Sequence, residues 1–115
     1  MAISEAYTFS AVSVSGTELS FVSGTSSLQA IAVAGVYQLY VDAANMAKAD
    51  EFRIKVKEKV LAGGTQRTLS QWSLLGVQTE AFVTPTLVLI NGFDFTIIKI
   101  AGTDRAFSGS IRKIA

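Results

Sequence analysis

Residues 51–60 place Phe52, Ile54, Val56 and Val60 on one side of an extended chain and Arg53, Lys55, Lys57 and Lys59 on the other. A period of two is the spacing of a strand with one buried face, and it predicts a strand here. Residues 86–98 carry a second signal, an apolar run broken by Asn91-Gly92, which reads as a two-residue type I′ hairpin. Pro85 cannot donate a ladder hydrogen bond and belongs at a strand entrance or on an edge. Weaker strands are read at 7–14, 18–22, 35–42, 66–74 and 107–114, with Ser15-Gly16, Ala62-Gly63-Gly64 and residues 101–104 as turns. In 35–42, Tyr37, Leu39 and Val41 form a core face while Gln38, Tyr40 and Asp42 face the other way. Residues 42–50 are rich in helix formers but allow only one or two turns.

About eight short strands without an amphipathic helix predict an all-β fold, an antiparallel two-sheet β-sandwich of jelly-roll-like type; the pattern alone does not separate this from an Ig-like sandwich. With 115 residues and no repeat, the chain is expected to be a single domain over 1–115. A folded monomer of 12.2 kDa should expose roughly 6,000 Å². Half the residues are apolar, 17% are charged and mean hydropathy is +0.41, which is not the composition of a disordered chain. Residues 8–27 are dominated by Ser, Thr and Gly, so 1–34 are read as edge strands or as an arm that orders on a neighbouring subunit.

The absence of cysteine and histidine removes thiolate and imidazole metal sites, disulfides and the commonest catalytic bases, and no cofactor is expected. The carboxylates show no EF-hand spacing, the glycines form no phosphate cradle, and the serines lack S-x-x-K or G-x-S-x-G context, so no enzymatic activity is expected. The N-terminus has no secretory pattern, and the longest apolar run, residues 28–41, is too short and too polar to span a bilayer. A formal charge of +1 gives no bulk attraction to nucleic acid or membranes. Its distribution is uneven: residues 1–47 carry −3 and residues 48–115 carry +4, which predicts either complementary strands within one domain or head-to-tail contacts between subunits.

Three features are candidates for function. In the expected hairpin both faces are apolar, so one face needs cover beyond a single core; a loop can supply it, or Leu87, Leu89, Ile98 and Ile100 can form an oligomer interface. The stripe Arg53, Lys55, Lys57, Lys59 reads as a solvated strand face that discourages edge pairing, or as an ionic contact with an acidic protein surface; it lacks the interleaved aromatics of a nucleic-acid platform. Trp72 reads as a core anchor, or as a sugar-stacking platform or an interface anchor.

The segments GVYQLYVDAANMAKADEFRIKVKEKV at 35–60, GGTQR at 63–67 and TPTLVLINGFDFTIIKIAGTDRAFSGSIRKIA at 84–115 resemble small virion proteins of tailed bacteriophages. The likeness covers residues 35–115 and lies in composition-like pattern, with no site residue to carry over. It implies a capsid decoration or cement protein: an oligomer, with a trimer favoured, partnered by the major capsid protein on the virion surface after assembly in the host cytoplasm. The expectation is therefore a structural virion subunit. The alternative is a carbohydrate-binding or adhesin-type β-sandwich module, for which an exposed Trp72 beside another aromatic is the discriminating feature.

Overall fold

The computed structural model describes residues 3–115. Nine strands follow one another: β1 (Ser4–Val14), β2 (Leu19–Ser20), β3 (Gly35–Asp42), β4 (Glu51–Lys59), β5 (Gln66–Leu75), β6 (Phe82–Val83), β7 (Leu87–Leu89), β8 (Asp94–Ala101) and β9 (Arg105–Lys113). They form two antiparallel sheets. Sheet A has the order β1-β9-β3, with β6 and β7 both pairing the far side of β3; sheet B has the order β2-β8-β4-β5.

β6 and β7 are one edge strand interrupted at residues 84–86. Pro85 brings no N–H to the ladder, and Thr84 substitutes for the lost rung: its hydroxyl accepts Leu39 N–H at 3.0 Å and its own N–H donates to Leu39 O at 3.1 Å. Counted that way there are eight strands, and the chain changes sheet at every step except the β4–β5 hairpin. This is the jelly-roll arrangement.

The core fills the space between the sheets. Tyr37, Leu39 and Val41 of β3 face Phe52, Ile54 and Val56 of β4, closed by Phe93, Phe95 and Ile97 on the β8 side and by Phe107 and Ile111 of β9. The strict alternation of β3 and β4 is the reason: every second residue is apolar, so one face buries. In β1 the apolar phase changes from Tyr7 and Phe9 to Val12 and Val14. A bulge absorbs the change, with Ala11 at φ 49° and its N–H on Ser108 Oγ at 2.8 Å.

The expected 86–98 hairpin does not form. β7 pairs β3 in sheet A, while β8 pairs β4 and β2 in sheet B. Only Gly92 takes a positive φ, of 68°, whereas a type I′ turn needs two such residues. A jelly roll places these strands in opposite sheets, so residues 90–93 form a crossover. Two isolated pieces hold it: Glu58, which points inward from β4, accepts the N–H groups of Ile90 and Asn91, and Lys59 N–H donates to Asn91 O.

The interface assignment changes with the hairpin. Leu89 is 1% exposed and belongs to the core, and Leu87 is half-buried against it. Ile98 faces outward from sheet B and is half-buried, while Ile100 is the extra residue of a β8 bulge and is 43% exposed. Leu87 and Leu89 therefore point to the interior, Ile98 and Ile100 lie on sheet B, and the four share no surface. In β7 the exposed positions are the opposite phase, Val88 and, just beyond, Ile90.

Residues 3–34 are not a detached arm. β1 and β2 are edge strands, and the segment after β2 folds over the outer face of β8 to a bridge between Ile31 and Phe93. That segment is the loop cover the apolar run needs. The accessible surface, 5924 Å², is that of an ordinary monomer of this mass. Residues 43–50 form turns and no helix: Asp42 and Asp50 accept the N–H groups of Ala44 and Ala47, so these side chains capture donors a helix needs.

Candidate functional site

The outer face of sheet A holds a depression of about 420 Å³ lined by Tyr40, Asp42, Ser108, Ser110, Arg112 and Glu5. Three strands supply these residues through the ladder register. Arg112 of β9 stands between Glu5 of β1 and Gln38 of β3; Ser110 stands between Thr8 and Tyr40; Ser108 faces Asp42. Successive rungs are two residues apart, about 6.8 Å, so the groove follows β9 for about 13 Å.

Local sequence sets these positions. The outward phase of β3 carries Gln38, Tyr40 and Asp42 because its inward phase is wholly apolar. A register shift between Glu5 and Tyr7 leaves Ala6 as an extra residue, keeping Glu5 on the outer face beside Arg112 while Tyr7 turns inward. Gly109 lies under the groove floor, where an added Cβ would sit 2.0 Å from Tyr40 O and 2.8 Å from Phe9 Cζ. Only glycine allows β3 to approach this closely with the Phe9 ring passing across.

The groove is held by its own polar contacts. The Arg112 guanidinium lies 3.7 Å from the Tyr40 ring centroid, and its Nε donates to Ser110 Oγ at 3.2 Å. The Tyr40 hydroxyl donates to Gln38 Oε1 at 3.3 Å, and Gln38 Nε2 donates to Thr84 O at 2.9 Å. Asp42 Oδ1 accepts Ala44 N–H at 3.0 Å. Among the described residues, neither Arg112 nor Glu5 nor Asp42 is in an ion pair. The result is a fixed aromatic–guanidinium pair with unused donors, two carboxylates and two serine hydroxyls, a set able to bind a hydroxyl-rich ligand. Among the described residues no group of three carboxylates is placed to hold a metal ion.

The residues singled out from the sequence lie elsewhere. Arg53, Lys55, Lys57 and Lys59 run along the outer face of sheet B, on a strand flanked by β8 and β5. An interior strand has no edge to protect, which corrects that part of the reading. Lys57 is drawn into the domain by Glu18 at 2.9 Å, and the other Glu18 oxygen accepts the Thr96 hydroxyl. Burial opposes the charge of Glu18, but the Thr96 hydroxyl and the Lys57 ammonium outweigh it and hold the carboxyl below its ordinary range. This pair joins the acidic half of the chain to the basic half within one domain.

Beside it, Asp94 lies fully buried beneath the 21–31 segment, accepting Ser20 Oγ–H at 2.7 Å and Gln29 N–H at 2.8 Å. Burial raises the Asp94 carboxyl above its ordinary range, against the pull of these bonds.

Trp72 points inward from β5 and is half-buried, its ring 5.7 Å from Phe82 in the gap between β5 and β6. It packs against the core, so it is not the exposed sugar platform of the alternative reading, and it stands apart from the groove, where Tyr40 is the aromatic residue. The sequence marks Tyr40 only as an outward aromatic between two polar residues. Arg112 and Glu5 carry no local signal, since they join Tyr40 only through pairing across 107 positions of chain.

No family model and no curated protein matches the chain. Among solved structures it is similar to a xylan-binding domain of carbohydrate-binding module family 22, at 16% identity and a TM-score of 0.44, over 73% of this chain and 57% of that one. The same figures apply to the C-terminal family 22 carbohydrate binding module of a Clostridium thermocellum protein. The Eiger TNF of S. frugiperda matches at 20% identity and a TM-score of 0.43, over 78% of this chain and 66% of that one. The chain thus spans less than two thirds of the length of these structures. Likenesses this distant transfer no ligand and no residue role; the fold rests on the strand pairing itself.

Proposed function

We propose that this protein is a non-catalytic glycan-binding β-sandwich whose ligand lies in the groove on the outer face of sheet A. One observation carries the reading: Tyr40 and Arg112 are locked together at 3.7 Å on a rigid sheet, between hydroxyl and carboxylate groups that lack ion-pair partners. The guanidinium held over the Tyr40 ring, with the hydroxyl and carboxylate groups around it, offers fixed donors and acceptors to the hydroxyls of a sugar. The groove is preorganised, so little ordering opposes binding.

The test is affinity electrophoresis of the purified protein through gels containing soluble polysaccharides. Retardation that falls at least about tenfold in Tyr40→Ala and in Arg112→Ala, measured well below the melting point of each variant, supports the reading. Retardation by no polymer, or retardation indifferent to both changes, removes it.

A second reading is an oligomeric subunit on the capsid of a tailed phage, with the major capsid protein as partner. The exposure of Val88 and Ile90, 75% and 53%, at the edge of sheet A favours its oligomeric part, and the capsid assignment rests on the sequence resemblance alone. Light scattering that gives a trimer, dissociated by Val88→Lys with Ile90→Lys, supports the oligomeric part; a monomer at tens of micromolar opposes the reading.

A further inference from the structure

The groove combines hydrogen-bond capacity of both kinds in one short span. Ser108 Oγ accepts Ala11 N–H and keeps its own proton to donate, while the buried Ser110 Oγ accepts Arg112 Nε–H and holds the guanidinium in place. Arg112 uses one of its five N–H groups within the described residues. Against these donors stand the Glu5 carboxylate and the free oxygen of Asp42, whose Oδ1 is engaged by Ala44. A ligand that fills this pattern must itself donate and accept, as each hydroxyl of a polyol does.

Charge narrows the choice. The lining holds two carboxylates and one guanidinium, and Glu5 lies directly beside Arg112 in the ladder. A uronate or sulfate reaching Arg112 meets the Glu5 carboxylate on the same rung, and an extended polyanion meets Asp42 at the other end of the groove. Like-charge contacts in a site are a strong means of rejection.

We infer that the groove prefers neutral glycans over polyuronates and sulfated glycans, with Glu5 and Asp42 as the discriminating residues. The inference rests on the glycan-binding reading and names the ligand class of that site.

Affinity electrophoresis at about 0.15 M salt, where charges beyond about 8 Å are screened, tests it at contact range. The probes are neutral polymers (xylan, β-glucan, galactomannan) and acidic ones (polygalacturonate, chondroitin sulfate), run against the wild-type protein and the double variant Glu5→Gln, Asp42→Asn. The expected result is retardation of the wild type by at least one neutral polymer, with every acidic polymer bound at least about tenfold more weakly. The double variant, which keeps the oxygen that holds Ala44, should narrow that ratio by a factor of several through stronger binding of the acidic polymers.

If an acidic polymer retards the wild type as strongly as a neutral one, through Arg112, the glycan-binding reading stands and the selectivity inference is overturned. An unchanged ratio in a folded double variant overturns the assignment to Glu5 and Asp42. Should that variant fail to fold, the wild-type ratio decides alone. Retardation by none of the polymers removes both the inference and the reading beneath it.

Discussion

The carboxylate of Glu58 accepts the backbone N–H groups of both Ile90 and Asn91, the latter at 2.8 Å, from an inward position on β4 where Phe52, Ile54 and Val56 precede it in phase. An acid in that phase is costly to bury unless its oxygens are satisfied, and the crossover supplies two donors that have no strand partner. Side chain and crossover thus satisfy one another.

Glu58→Ala should therefore destabilise the protein by about 2–4 kcal/mol, since it removes two hydrogen bonds to a charged group and strands two donors. Glu58→Gln keeps one good acceptor and should lose about half as much. Urea denaturation at neutral pH checks both; a change below about 0.5 kcal/mol for Glu58→Ala would show that the crossover is held without the Glu58 carboxylate.

This relationship also explains which parts of the fold the sequence makes legible. β3 and β4 are readable because each alternates strictly over its length, and the jelly-roll class follows from the number and brevity of such segments. The Asn91-Gly92 signal misleads because it is local, whereas the sheet change is decided by Glu58, more than 30 positions earlier, and by the break at Pro85. A jelly roll and a hairpin at 86–98 are in fact incompatible, since strands flanking that turn must lie in opposite sheets. The groove is hidden for a related reason. Glu5, Tyr40 and Arg112 meet only through the register of three strands, and the bulge at Ala6 that keeps Glu5 outward has no marker in composition.

Asp50 should govern part of the acid sensitivity. The backbone N–H of Ala47, the Arg105 guanidinium and the backbone N–H of Thr103 hold its carboxyl at about 2, below the ordinary 3.8. A folded-state value below the unfolded one means the unfolded chain binds the proton first as pH falls. The stabilisation is complete above about pH 4 and is lost as pH falls toward 2. Comparing wild type with Asp50→Asn by thermal melting should give a stability gap that is constant from pH 7 to about 5 and shrinks from pH 4 to 2. A gap that stays constant through that lower window would show that the carboxylate charge contributes nothing.

Gly109→Ala should be among the most damaging single substitutions. The added methyl would meet Tyr40 O at 2.0 Å, and a backbone atom inside a ladder cannot turn aside as a side chain can. Either β3 and β9 separate or the Phe9 ring leaves its stack on Phe21, whose centroid lies 4.3 Å away. The expected loss is about 3 kcal/mol or more, read as a drop of at least about 10 °C in Tm for a domain of this size. A melting curve within a few degrees of wild type would mean that the two strands sit further apart than described.

Trp72 and Tyr40 should divide stability from binding. Trp72 is half-buried against the core beside Phe82, so truncation removes apolar contact at the mouth of the sandwich and should cost about 1.5–3 kcal/mol, less than a fully buried tryptophan. Tyr40 stands on the outer face, where its ring supports Arg112 at 3.7 Å and its hydroxyl reaches Gln38. Tyr40→Ala should cost less than about 1 kcal/mol of stability, yet reduce glycan retardation at least about tenfold, because Arg112 loses the surface that fixes it. Trp72→Ala, at a temperature well below its melting point, should retain the wild-type retardation. Measured side by side, the two variants separate an aromatic that holds the sheets together from one that fixes the arginine of the groove. The opposite outcome, with binding lost in Trp72→Ala and kept in Tyr40→Ala, would move the binding surface from the face of sheet A to the β5–β6 edge.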